Sequence, residues 1–211
     1  MRNKNFLPAL ALGIAGAISV AAPSLATPIT YTEQATGTGC LGGTTHADCT
    51  ANHAFANALV TLTMTNDTGN VTGGSPIFRN FGTVTVSVSS VNGGAPVTFT
   101  DPSMEVFSLQ SPTPTVRGGF ADVSLGFDIL DTSNIAFATY DLRSSIGPIT
   151  DTAIWSGPIF FPVTSGFFNL AVVLGNSTFT AVASSVPEPS SLALLAVALA
   201  GIGVIRRRKM S

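Results

Sequence analysis

Strict alternation of apolar and hydroxylated residues is the feature that most constrains this chain. In ALVTLTMTN, Val60, Leu62 and Met64 alternate with Thr61, Thr63 and Thr65; in GTVTVSVSS, Val84, Val86 and Val88 alternate with Thr85, Ser87 and Ser89. Successive side chains on an extended strand point to opposite faces, so such segments are strands with one buried face. ADVSLGFD repeats the pattern, with Val123, Leu125 and Phe127 set against Asp122, Ser124 and Asp128.

Turn residues punctuate these runs. Gly73-Gly74, Asn92-Gly93-Gly94, Gly118-Gly119 and Gly175-Asn176 offer the positive φ of tight turns, the last of them joining FFNLAVVL to STFTAVAS as a hairpin. Two segments break the pattern: the Gly/Thr-rich stretch 37–53, read as a stapled loop, and 143–158, read as a long irregular connection. No amphipathic helical period of useful length lies between the two chain ends. The expected fold class is all-β, an antiparallel β-sandwich or jelly roll of about eight to ten short strands.

Both ends read as targeting segments. Arg2 and Lys4 precede an apolar run from Phe6 to Ala22, and Ser24-Leu25-Ala26 supplies the small residues of a signal-peptidase site, so residues 1–26 are expected to be removed between Ala26 and Thr27. Residues 27–184 then form one domain. It carries ten acids against Arg79, Arg117 and Arg143, a net charge of −7. Nucleic acid is excluded as a partner, because phosphate binding draws on a basic surface.

Cys40 and Cys49 both follow the signal peptide into an oxidising compartment, where a close pair is expected to be bridged. The rival is a metal site with His46, Asp48 and His53, but their spacing fits no standard zinc pattern, so no metal is expected.

The tail, 185–211, has three parts in order. Pro187-Glu188-Pro189 is held extended by its prolines, residues 190–205 form an uncharged apolar helix, and Arg206, Arg207, Arg208 and Lys209 close the chain with positive charge. Sixteen helical residues span about 24 Å, less than the roughly 30 Å core of a bilayer. Positive charge stays on the cytoplasmic side, which leaves the acidic domain outside. These features resemble the PEP-CTERM sorting signal of Gram-negative bacteria that make exopolysaccharide. The resemblance implies recognition by an exosortase, an integral membrane transpeptidase of the cysteine type. It also implies cleavage near Pro187-Glu188-Pro189, transient residence in the inner membrane through the helix, and transfer to the cell surface or release.

The domain itself offers little chemistry. Its two histidines lie in the stapled loop, and no Gly-x-Ser-x-Gly elbow, phosphate loop or His-Glu-x-x-His helix occurs. Trp155, with Asp141, Arg143 and Asp151 near it in sequence, is the candidate ligand loop, a sugar platform if the tryptophan is exposed and a core residue if it is not. No catalytic residue and no cofactor is expected. The leading expectation is a non-enzymatic, exported structural protein of the cell surface or extracellular matrix, associated with exopolysaccharide. A carbohydrate-binding module is the alternative, and a glycoside hydrolase using two carboxylates a further one.

Overall fold

The computed structural model describes residues 26–112 and 115–184. The expected signal peptide as far as residue 25 lies outside the described residues. So does the whole tail, 185–211, with Pro187, Glu188, Pro189, the apolar helix and the basic cluster. No helix among the described residues is long and apolar enough to cross a membrane.

The described chain is built of β1 (Pro28–Gly42), α1 (His46–Asn52), β2 (Ala54–Asp67), β3 (Thr72–Gly74), β4 (Ile77–Phe81), β5 (Val84–Val88), β6 (Val97–Thr98), β7 (Met104–Leu109), β8 (Arg117–Asp122), β9 (Phe127–Ser133), β10 (Ile146–Ile154), β11 (Phe160–Val163) and β12 (Gly166–Ala183). The strands form one continuous antiparallel sheet in the order β3-β4-β7-β8-β9-β10-β12-β1-β2-β5-β6, with β11 attached to β12 off that path. The sheet curls until its halves share a core in which Tyr31, Leu62, Val86, Phe120, Leu130 and Phe179 have no exposed surface. Phe179 is central, with the rings of Phe137, Tyr140 and Tyr31 at 5.2, 6.2 and 6.5 Å.

The alternating segments around Val60–Met64 and Val84–Val88 are β2 and β5, paired residue for residue. Elsewhere the structure corrects the sequence reading. Residues 37–53 are not a plain loop: β1 runs on to Gly42, and α1 follows, started by Thr45, whose Oγ1 accepts from the Asp48 amide at 3.1 Å. The expected disulfide closes Cys40, near the end of β1, onto Cys49 of α1. Residues 143–158 contain β10, which pairs with both β9 and β12. A register break between Ile146 and Ile149, at Gly147-Pro148, hides its period in the sequence.

Two glycine readings and one strand reading also change. Gly175-Asn176 makes no hairpin: Ala35 pairs with Ser177 and Thr36 with Leu174, so these two residues bulge from one 18-residue strand. Gly118-Gly119 lies inside β8, where a methyl at Gly118 would collide with the Phe137 ring and one at Gly119 with the Leu130 carbonyl. ADVSLGFD is not one strand but the connection between β8 and β9. Asp122 Oδ1 accepts from the Ser124 hydroxyl at 2.8 Å and the Leu125 amide at 3.1 Å, and this Asx turn overrides the alternation, leaving Val123 and Leu125 exposed.

Candidate functional site

Register brings the domain's strongest charges together on one face. Arg79, Phe107, Gly119 and Asp131 lie in one row across β4, β7, β8 and β9, and Phe81, Glu105, Ala121 and Asp128 in the next. Residues paired across a ladder point the same way, and here they point away from the face that carries Val106, Phe120 and Leu130 into the core. Glycine and alanine in the β8 positions leave room for the long side chains on either side.

Arg79 Nη1 donates to both Glu105 oxygens, at 2.9 and 3.0 Å. Glu105 is 2 % exposed, and burial pushes its carboxyl up to about 7, against the pull of Arg79. Arg117 Nη2 donates to Asp128 Oδ2 at 2.9 Å, while its Nε sits 3.3 Å from Asp131 Oδ2. The same guanidinium lies 5.8 Å over the Phe107 ring. Asp131 is fully buried, and desolvation, with Asp128 beside it, holds its carboxyl well above the ordinary range.

A cavity of about 310 Å³ opens beside these pairs, lined by Arg79, Glu105, Asp122, Asp128, Phe127 and their neighbours. Asp122 is 1 % exposed and its Oδ2 has no hydrogen-bond partner. The cavity therefore combines carboxylates, one arginine and one aromatic side chain. Among the described residues, no group of three or more His, Cys, Asp or Glu is placed to hold a metal.

The four residues of the sequence-derived ligand loop are distributed differently. Asp141 Oδ1 accepts from the Arg143 amide at 3.0 Å, and the two side chains pair at 3.8 Å. Arg143 also donates to the Val71 carbonyl at 3.0 Å and lies 5.7 Å over the Phe78 ring, so it ties two loops together. Asp151 accepts from Asn134 Nδ2 at 2.8 Å; the Thr152 amide and Asn134 hold its carboxyl below the usual range. Trp155 packs, partly buried, against the core at the far end of β10, and its Nε1 is buried without a partner. Asp141 and Arg143 are thus brought together, whereas Asp151 and Trp155 each serve another neighbourhood.

The sequence reading missed the arginine-acid rows. Arg79, Glu105, Arg117 and Asp131 are far apart in the chain, and only the ladder register joins them.

Comparison with known proteins bears on the tail. No curated protein and no solved structure matches the chain. The family model of the PEP-CTERM protein-sorting motif matches residues 185–209, the segment that starts directly after the last described residue of the domain. The chain therefore ends in a PEP-CTERM sorting motif, the mark of an exported protein that an exosortase processes.

Proposed function

We propose that this protein is a non-catalytic structural component of the cell surface or extracellular matrix, associated with exopolysaccharide and built on a β-sandwich body. The observation that carries this reading is the sorting motif at 185–209. A disulfide suited to an oxidising compartment and a core-packed domain of net charge −7 support it. Absence of catalysis is part of the proposal. Intact mass of the protein from its native host, cells and medium separately, tests the reading. A product that begins at Thr27 and ends near Pro187 supports it; a chain that still ends at Ser211 in the inner membrane overturns it.

A second reading, sugar binding, is favoured by the unpartnered Asp122 Oδ2 beside the charged cavity. Titration with the host's own polysaccharide checks it. Saturable binding lost in Asp122→Ala and kept in Trp155→Ala places the sugar at the cavity, while loss in Trp155→Ala places it at the tryptophan. Absence of saturable binding removes this reading.

A further inference from the structure

The two ends of the domain leave it side by side. The Ser184 amide donates to the Pro28 carbonyl at 2.8 Å, the Ala183 amide to Ser145 Oγ at 2.9 Å, and the Thr68 amide to the Thr27 carbonyl at 3.0 Å. A buried network stiffens this end: Tyr31 Oη donates to the Leu142 carbonyl at 2.7 Å and accepts from Asn80 Nδ2 at 3.0 Å.

Only Ser185 and Val186 separate this end from Pro187. Fully extended they reach about 7 Å, and the five residues from Ser185 to Pro189 reach about 17 Å before the apolar run begins. An enzyme cutting near Pro187 cannot grip several extended residues without touching the domain or peeling back β12. That strand is bonded on both sides, to β1 and β10, up to its last residues.

We infer that the end formed by Thr68–Asn70 and Asp141–Ser145 is a docking surface for the processing enzyme; the inference rests on the sorting reading above. The chemistry fits a protein partner better than a lipid surface. Gly69, Asn70, Ser144 and Ser145 are exposed hydrogen-bonding or backbone-presenting residues, and Asp67 and Asp141 outnumber Arg143. Lipid headgroups would favour a basic cluster or an apolar wedge. The contact is therefore polar, made by the outward face of the enzyme while the apolar run is in the membrane.

The test follows, in the native host, conversion of the full chain to its shortened form over time. Asn70→Trp and Ser144→Trp are compared with the parent and with Ala51→Trp, on exposed α1 at the opposite end. Docking predicts that the first two are cut several-fold more slowly and that Ala51→Trp matches the parent. Inserting a flexible Gly/Ser segment of about eight residues after Ser184 uncouples the motif from the surface. All variants are then cut at one common rate, slower than the parent. Should either tryptophan variant melt below the parent, Asn70→Asp and Ser144→Asp take its place, with the same slowing expected. Equal cutting of all folded variants, or faster cutting after the insertion, overturns the docking surface while leaving the sorting reading intact. A parent chain that is never shortened overturns both.

Discussion

Glu33 Oε1 lies 2.5 Å from Thr132 Oγ1, joining β1 to β9 through the middle of the core, with both residues fully buried. Thr132 Oγ1 is also 2.7 Å from Ser177 Oγ, which donates to the Asp131 carbonyl at 2.8 Å. The Thr132 hydroxyl donates to Glu33, and burial nonetheless holds the Glu33 carboxyl well above the ordinary range.

Stability should therefore fall as pH rises. A carboxyl raised in the folded state stays neutral there while its unfolded counterpart ionises, so the penalty begins near the ordinary value of 4.5 for Glu33 and grows toward the folded pKa. Asp131 adds a loss of the same sign. Asp48, Asp101 and Asp151, partly buried at the surface, are lowered and act oppositely, with stability lost below the ordinary carboxylate range. Thermal unfolding should show its highest midpoint at mildly acidic pH, and Glu33→Gln should flatten the decline toward about pH 8. A midpoint that rises steadily from mildly acidic to neutral pH would contradict the neutral Glu33.

Arg117 is the sole cation within reach of buried Asp131 in the described contacts, and it serves Asp128 as well. Arg117→Met should cost about 3 kcal/mol or more at a pH where Asp131 is ionised, because a buried charge then loses its partner. The loss should shrink in acid, where Asp131 becomes neutral. Denaturant unfolding at two pH values measures this difference; an equal cost at both would show that packing against Phe107, not charge, is what Arg117 contributes.

Gly118→Ala drives a methyl into the Phe137 ring, which is packed against Phe179 at 5.2 Å. A loss of about 1 to 3 kcal/mol is expected from overpacking. Phe137→Leu in the same chain should return part of it, a recovery that a turn-forming glycine would not show. Denaturant midpoints of the two single variants and the double variant decide between the two roles.

Removing the bridge by Cys40→Ser with Cys49→Ser should cost about 2.5 to 3 kcal/mol by the chain-entropy argument. Hydrogen exchange should rise first in α1, which is joined to the sheet by this bond and by the stacking of His46 on Phe160 at 4.2 Å. Unchanged protection there would mean that the aromatic contacts suffice.

Sequence alternation made β2 and β5 legible because each buries one face and carries threonine on the other. It failed where a single residue type serves two purposes. Glycine marks turns, yet Gly118 and Gly119 are required by neighbours that approach from other strands. Gly175, with φ of 82°, serves a bulge instead of a hairpin. The sorting motif at 185–209 was legible because it is contiguous in the chain. The charged rows were not, because nothing local relates Arg79 to Glu105, and their meeting depends on how β4 and β7 are aligned.

The bulge at Gly175-Asn176 lets β12 remain one strand from the disulfide end of the body to the end where the tail departs. A pull on the tail enters at Ser184 along the strand axis, and the hydrogen bonds to β1 and β10 then bear the load in shear, many at once. A hairpin at the same place would have let such a pull open bonds one after another. The single long strand thus gives the domain mechanical resistance in the direction in which a tethered protein is tugged.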